Sequence, residues 1–477
     1  MRILLVYPPI SKQERYCSAI GNAGGNQIPL GVFYLAAYLR QNGHEVCVID
    51  GEANRLTTPD VLRQSDAFRP QLLGISCTTV AFHRGLEVAE AFKQRRPALP
   101  IVLGGPHVSS NPAHAMSFAA FDYGIVGEGE MALLRLVEAL ESQRDVVSIA
   151  GLAHRENGEL IVNGAAPQIE SLDALPLPAY DLIPDLSIYA PPPCNYKRLP
   201  VANLITSRGC PNRCTFCDRS VFGRSLRQRS AENVAEEIRH LWSKYRVREI
   251  AFVDDTFTLR PRRIRSLFGI LDAEGISFPW TCMSRVNSVD FDLLKFMRDH
   301  GCWHISFGIE SGNQEILRRI KKNVSLEAVR RVIEACARLR IRTKGFFMVG
   351  HPGETLETIE QSIRLALELP LDDVVVTLNT PIPGSEQYRD AEEHGTLDQT
   401  DWSKFNYWRP VFVPTGLSQE ELLAKHREFY RRFYFRPRIL RRYLLSFLAP
   451  SGPRRFWALC RSLPFVLRKT GNHPAVS

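Results

Sequence analysis

The stretch Ser207-Arg208-Gly209-Cys210-Pro211-Asn212-Arg213-Cys214-Thr215-Phe216-Cys217 decides how the rest of the chain is read. Its three cysteines follow a C-x3-C-x2-C spacing, and thiolates are soft ligands suited to iron–sulfur clusters and zinc. So close a spacing lets one loop turn three sulfurs towards a single centre. A zinc site or an ordinary cubane wants four protein ligands, and no fourth cysteine stands nearby with a pairing partner. Cys194 is the nearest, set among prolines, with the strand-like Val201 to Thr206 in between. The simplest reading is a [4Fe–4S] cluster held by Cys210, Cys214 and Cys217, with one iron left open for a ligand. A zinc knuckle, or three incidental thiols, is the competing reading.

From 201 to about 385, apolar runs of strand length end in polar groups. Val201 to Thr206 leads into the cysteine loop, and Glu249 to Val253 ends in Asp254-Asp255-Thr256. Trp280 to Met283 ends in Ser284-Arg285, and His304 to Ile309 in Glu310-Ser311-Gly312. Lys344 to Val349 ends in Gly350-His351-Pro352-Gly353-Glu354, and Val374 to Leu378 in Asn379-Thr380. Helical segments separate them, the first from Ala231 to Tyr245 with Ser230 as its N-cap. Six such units predict a partial (β/α)6 version of the eightfold TIM-like barrel, whose sites lie on the loops after the strands. Each carboxylate taken singly reads equally as a helix cap or a surface ion pair.

Upstream, strand-like Ile3 to Tyr7, Glu45 to Asp50, Leu72 to Cys77, Pro100 to Gly105 and Tyr123 to Gly127 alternate with helical segments. That alternation predicts a doubly wound, Rossmann-like α/β domain with a parallel sheet. Ligands of such sheets sit at the carboxyl ends of the strands. The loops there are Pro8-Pro9, Asp50-Gly51-Glu52, Cys77-Thr78-Thr79, Gly104-Gly105-Pro106-His107 and Gly127-Glu128-Gly129-Glu130. Their glycines admit a large flat ligand close to the backbone. None is a G-x-G-x-x-G after the first strand, which disfavours a dinucleotide.

The cysteine spacing, with Phe216 before the last cysteine at the end of an apolar strand, resembles the signature of the radical S-adenosylmethionine (SAM) enzymes. The resemblance implies that SAM binds the open iron and is cleaved, after electron donation, to methionine and a 5′-deoxyadenosyl radical. It also implies roles for Phe216 and the strand ends. Asp254, Asp255 and Thr256 would contact the SAM amino group, Arg285 and Glu310 its carboxylate and ribose, and the loop from Gly350 its adenine. Preceded by the doubly wound domain, the motif is similar to the cobalamin-dependent branch of the family. The stretches Pro29-Leu30-Gly31, Gly104-Gly105-Pro106-His107 and Val126-Gly127-Glu128-Gly129-Glu130 carry that likeness. It implies cobalamin against Pro9, Asp50, Glu52, Thr78, Gly104, Gly105, His107, Gly127 and Glu128. The chain departs from many cobalamin proteins in lacking D-x-H-x-x-G after the first strand, where it reads Pro8-Pro9-Ile10-Ser11-Lys12-Gln13. Cobalamin without a protein histidine on cobalt is then implied, with His107 and His83 as alternatives. Glu128 and Glu130 read equally as acids favoured by a helix N-terminus.

These readings divide the 477 residues into a cobalamin-binding domain at 1–150, a proline-stiffened linker at 151–195, a radical SAM core at 196–400 and a helical, basic region at 401–477. Asn157-Gly158 within the linker reads as a hairpin turn. Hydrophobic content of 44% and charged content of 23% are ordinary for a globular protein. No apolar run reaches the ~20 residues of a membrane span. Met1 to Pro9 reads as a buried strand rather than a signal, and eleven cysteines fit a reducing compartment, so a cytoplasmic location is expected. The net charge of +9 is uneven, with six arginines and no acid from Tyr430 to Tyr443. From Arg438 to about Lys469 a basic, apolar-studded segment reads either as peripheral membrane contact or as a solvated cap. Trp402, Phe405, Tyr407, Trp408 and Phe412 read as core or as a lid over an apolar substrate.

The resemblance implies a C-methyltransferase acting on a small-molecule or lipid-like substrate, reduced by a donor such as flavodoxin or ferredoxin. A radical cyclase or oxidase, like the anaerobic magnesium-protoporphyrin ester cyclase group, has the same architecture. An RNA-modifying enzyme is disfavoured, since no RNA-binding module is recognisable and no nucleic acid is expected. A non-catalytic cobalamin or redox sensor is the remaining alternative.

Overall fold

The computed structural model describes residues 1–16, 24–192 and 194–446. Its first sheet is built from β1 (Arg2–Tyr7), β2 (Glu45–Asp50), β3 (Leu72–Ser76), β4 (Ile101–Gly104) and β5 (Tyr123–Ile125), in the order 2-1-3-4-5 and all parallel. Strands flanked by helices on both faces are buried throughout and read as unbroken apolar runs, as Ile3-Leu4-Leu5-Val6 does. Separate hydrophobic clusters fill the two faces. One gathers Leu4, Ile75 and Phe92, and the other Ile3, Val102 and Leu136. The order reverses between β1 and β3, so their carboxyl ends frame the crevice where ligands of such sheets bind.

The sheet does not end at residue 150. β6 (Leu152–Glu156) and β7 (Glu159–Val162) add an antiparallel hairpin beside β5, turning at Asn157-Gly158 as expected. The first part of the expected linker therefore continues the first sheet. The rest is short turns and extended chain packed on both domains. Ala179 N–H donates to Phe33 O (3.1 Å), and the Pro191–Pro192 backbone lies so close to Gly25 that a Cβ there would clash.

The second sheet holds β8 (Val201–Leu204), β11 (Glu249–Phe252), β12 (Trp280–Ser284), β13 (Cys302–Glu310), β14 (Arg342–Val349) and β15 (Asp373–Leu378), in chain order and all parallel. This is the open, six-stranded barrel that the sequence predicts. Its helices begin on side-chain caps: Ser230 for Ala231–Lys244, Asp290 for Phe291–Asp299, Ser325 for Leu326–Arg338, and Thr355 in a capping box for Leu356–Glu368. Two residues on either side of the cysteine loop, β9 (Ser207–Arg208) and β10 (Arg227–Gln228), pair as a small antiparallel ribbon that sequence periodicity does not show.

Beyond the barrel, Ser418 and Glu421 form a capping box for the helix Gln419–Tyr434, which packs on β15. Pro437 opens a further helix, Pro437–Ser446, at a position where a missing N–H costs nothing. The rest of the expected basic segment, from 447 to Lys469, lies outside the described residues. Among the described residues no helix is long and apolar enough to cross a membrane.

Candidate functional site

The cysteine loop leaves the top of β8 and is held before it reaches Cys210. Gly209 has a φ of +83° and lies so close to Ser225 O that a Cβ would sit 2.2 Å away, so only glycine fits there. Asp254, at the end of β11, accepts from Thr206 N–H (3.1 Å), Thr206 Oγ1 (2.9 Å) and Ser207 Oγ. Arg263 donates to the same Thr206 hydroxyl (2.7 Å). One carboxylate oxygen is therefore taken up in bracing the approach to the cluster loop. The other is buried without a hydrogen-bond partner, and burial raises the pKa.

Within the loop, Asn212 Nδ2 donates to Cys210 Sγ (3.3 Å) and Arg285 Nη1 to Cys214 Sγ (3.2 Å). The hydrogen bond from Cys217, followed by the charges of Lys322 and Arg285, lowers the Cys214 thiol's pKa against its burial, and the same contact raises that of Cys217. A cationic surround of this kind favours the thiolate, the form that binds metal. Three thiols in one loop, one of them held towards its anionic form, fit a cluster.

Arg285 also donates to Lys322 O and to Asn287 Oδ1 (3.4 Å). Glu310, at the end of β13, has a φ of +69° at a bulge in the strand and accepts from Lys322 Nζ at 2.6 Å. Both side chains of that pair are buried, and Lys322 Nζ stands 5.7 Å from the centre of the Phe216 ring. Lys322 thus joins the loop's aromatic residue, the β13 carboxylate and the charge field of the thiols. Lys322 lies outside the residues singled out from the sequence.

Around Gly350, Glu354 accepts from Gly350 N–H (2.6 Å) and His351 N–H (3.0 Å) through one oxygen. Its other oxygen, both His351 ring nitrogens and both side-chain polar atoms of Asn379 are buried without a hydrogen-bond partner. Burial pushes Glu354 up to about 8 and His351 down to about 3. So many unpaired buried donors and acceptors call for a polar guest. His351 belongs to the loop expected near the adenine, whereas Asn379, at the end of β15, carried no expected role.

A chamber of about 1180 Å³ lies between the carboxyl edge of the first sheet and the open barrel. From the first domain it is walled by Thr78, Gly104, Gly105, Gly127 and Glu128, five of the residues the resemblance assigns to cobalamin, and by Gly31. Thr78 Oγ1 is buried without a partner, and a Cβ on Gly31 would meet no protein atom within 4 Å. A hydroxyl awaiting a partner and open space above a glycine fit a broad ligand with polar edges, as cobalamin is. From the barrel come Asp255, Met283, Ser306 and Phe346, and from the later segments Trp408 and Phe435. Asp255 is exposed, and the wall it lines is that of this chamber. Thr256 is buried and donates to Asp255 O (2.7 Å).

Four expected cobalamin residues are not among those lining the chamber. Pro9 packs on Gly51, and Glu52 pairs with Arg15 (2.6 Å). Asp50 accepts from Tyr189 OH (2.8 Å) and Ala53 N–H (2.9 Å), with burial raising it to about 6. His107 is fully buried, its ring 3.0 Å from His114 Nδ1 and edge-on to Trp402. These groups are spent on packing, the reason being that each already has a partner. His83 pairs with Glu14 (3.0 Å). The aromatic segment divides: Phe405 and Phe412 are buried core, Trp402 covers the two histidines, and Trp408 faces the chamber.

A thiol-bearing partial barrel sharing one chamber with a doubly wound domain defines a two-domain protein built to hold ligands between its domains. The Radical SAM superfamily model matches residues 204–366, and the B12 binding domain model matches residues 16–137. An uncharacterised methyltransferase of Pyrococcus horikoshii is 34% identical over 442 residues, 92% of this chain and 94% of that protein. The anaerobic magnesium-protoporphyrin IX monomethyl ester cyclase of Rubrivivax gelatinosus is 28% identical over 97% of this chain and 85% of its own. The fold matches the cobalamin-dependent SAM radical enzyme OxsB with a TM-score of 0.74 at 16% identity, over 96% of this chain and 71% of that one. The chain belongs to the cobalamin-dependent radical SAM family, and its cofactors are a [4Fe–4S] cluster, SAM and cobalamin.

Proposed function

We propose that the chain methylates an unactivated carbon of a small organic molecule with an apolar body, seated in the interdomain chamber. In this reading Cys210, Cys214 and Cys217 hold the cluster. SAM would be held by Phe216, Asp255, Thr256, Arg285, Glu310 and the Gly350 loop, and cobalamin by Thr78, Gly104, Gly105 and Gly127. The observation that carries it is the chamber walled by both domains, with Arg208 and Asp218, on either side of the cysteine loop, in its wall. Bound there, the cofactors supply one-electron cleavage of SAM and a transferable methyl group.

The chain's own residues bind and orient. Arg285 and Lys322 keep positive charge beside the thiolates, Asp254 braces the loop through Thr206 and Ser207, and Thr78 offers its hydroxyl to the corrinoid. Met283, Phe346 and Trp408 give the substrate side an apolar wall that keeps water from a reactive radical. The electron comes from an acidic carrier such as flavodoxin or ferredoxin. A surface hollow of about 650 Å³ beside the cysteine loop, lined by Arg213, Arg318 and Lys321, supports that choice.

Anaerobic reconstitution with cluster, cobalamin and SAM, followed by mass spectrometry of a treated cell extract, tests the reading. The expected result is 5′-deoxyadenosine together with a new species heavier by CH2. SAM cleavage without any such species would refute methylation. Radical cyclisation or oxidation is the second reading, favoured by the near full-length similarity to a protein named as a cyclase. Its mark is a product lighter by two hydrogens. Peripheral membrane contact through the basic C-terminal region predicts that the full chain binds anionic liposomes better than a chain cut after residue 437. Equal binding would end that idea.

A further inference from the structure

We propose that Glu128 and Glu130 are positioning residues that clamp the cluster loop to the cobalamin-facing loop through Arg208 and Arg227, and so fix how the two cofactors face each other. The inference rests on the cofactor placement proposed above.

The β9–β10 ribbon sets Arg208 directly opposite Arg227. Arg227 donates through both terminal nitrogens to Glu128, at 2.9 and 2.5 Å. Arg208 Nη2 donates to Glu130 Oε1 at 2.6 Å, and its Nη1 stands 3.7 Å from Glu128 Oε2. All four side chains are at most 8% exposed. The carboxylates begin the helix Gly129–Glu141, yet no side-chain cap is made at its N-terminus. Both are turned instead to the arginines of the other domain.

Chain connectivity gives the clamp its meaning. Arg208 is two residues from Cys210, and Glu128 directly follows Gly127, which walls the chamber. A displacement of either cofactor loop must pass through the four charges. The Arg208 plane is further held by rings, its guanidinium 5.6 Å from the centre of Tyr34 and 5.1 Å from that of Phe222. Arg208 Nη1 has no hydrogen-bond partner although the residue lines the chamber, which leaves an N–H for a carbonyl on the bound corrinoid.

Stability is a poor explanation for such an arrangement. A buried ion pair replaced by apolar groups of similar volume often leaves a fold no less stable. What apolar contact lacks is direction, whereas a guanidinium fork on a carboxylate fixes distance and plane together.

The test uses the full chain loaded with cluster and cobalamin, native and as the Glu128→Gln/Glu130→Gln double variant. The readouts are iron and cobalt content, the cobalt-to-cluster distance by pulsed EPR, and amide hydrogen exchange over residues 207–217. Expected for the variant are native metal contents, a shifted or widened distance distribution, and exchange in the loop faster by about tenfold or more. A fully loaded variant with the native distance distribution and native exchange would overturn the proposal. Should the double variant not accumulate, Glu130→Asp keeps the charge, shortens its reach and is judged by the same two readouts. A native chain that takes up iron but no cobalamin would instead sink the cofactor placement beneath it.

Discussion

Replacing Lys322 by methionine keeps most of the side chain's bulk and removes its charge. Glu310 then loses the cation at 2.6 Å while remaining buried on a bulged strand with φ of +69°. Breaking a buried pair from one side costs about 3–5 kcal/mol, because a charge is left without compensation. The lost contact with the Phe216 ring adds about 0.5–2 kcal/mol. The combined loss, near 5 kcal/mol, lowers the unfolding temperature of a barrel of this size, unfolding by itself, by roughly 10–20 °C. The assay is thermal unfolding of the apo chain for Lys322→Met, Glu310→Gln and the double variant. Since removing both charges leaves nothing unpaired, the double variant should recover at least half of the loss of Lys322→Met. The cycle would then show a coupling of 1 kcal/mol or more. In the same set, equilibrium binding of SAM to the reconstituted chain should weaken with either single change. A coupling indistinguishable from zero would refute the claim that this pair organises the site, whatever each single change costs.

Alanine at Cys210, Cys214 or Cys217 should each abolish the cluster's visible absorption and bring iron content near zero. Retention of full iron by any one of them removes that residue from the ligand set. Glu354 titrates near 4.5 when unfolded and near 8 when folded, so between those values the folded chain holds a proton that the unfolded chain has lost. The stability present below pH 4.5 is therefore lost as pH rises towards 8, by up to about 5 kcal/mol. Glu354→Gln should flatten that slope in the apo chain, and an unchanged slope refutes the assignment. Arg213→Glu with Lys321→Glu should slow reduction by an acidic flavodoxin about tenfold at low salt while leaving reduction by dithionite unchanged. Equal slowing with both reductants would show damage to the cluster instead of a lost docking face.

The parallel strands were legible because burial on both faces writes them as apolar runs, and the loops after them are where chemistry gathers. The hairpin at Leu152–Glu156 and Glu159–Val162 was harder to place, since its outer strand is half-exposed and looks like connector. Lys322 stands in Lys321-Lys322-Asn323, which reads as solvated charge. Only the turn after Ile320 carries one of the two lysines inward, leaving Lys321 outside to pair with Glu386. Asp50 and Glu52 occupy a strand end that usually serves ligands, but Tyr189 from the linker and Arg15 reach them first. Both contacts join residues distant in sequence, and no local pattern announces them. The same holds for Arg208 and Glu130, which lie 78 residues apart in different domains.

A second set of buried bonds extends the ionic seam. Arg229, immediately after the ribbon, donates to Glu237 and to Tyr34 OH (3.1 Å), and Tyr180 from the linker donates to the same Glu237 (2.5 Å). First domain, linker and barrel thus meet at the Arg229–Glu237 pair, and Arg208 above the Tyr34 ring connects this knot to the cluster loop. Two domains that share a chamber cannot press large apolar faces together where the ligands must sit. Beside the chamber an apolar cluster does join them, Ile28, Leu30 and Phe33 with Ala202, Leu204 and Val234, but apolar contact is non-directional and does not fix how the domains are turned. Directional charge pairs at the rim hold the spacing with little area, provided each is fully matched, since an unmatched one costs several kcal/mol. The seam of Arg208, Arg227 and Arg229 therefore belongs to the same problem as the cysteines: a cluster loop is useful only if its distance from the opposite cofactor is fixed before either is bound.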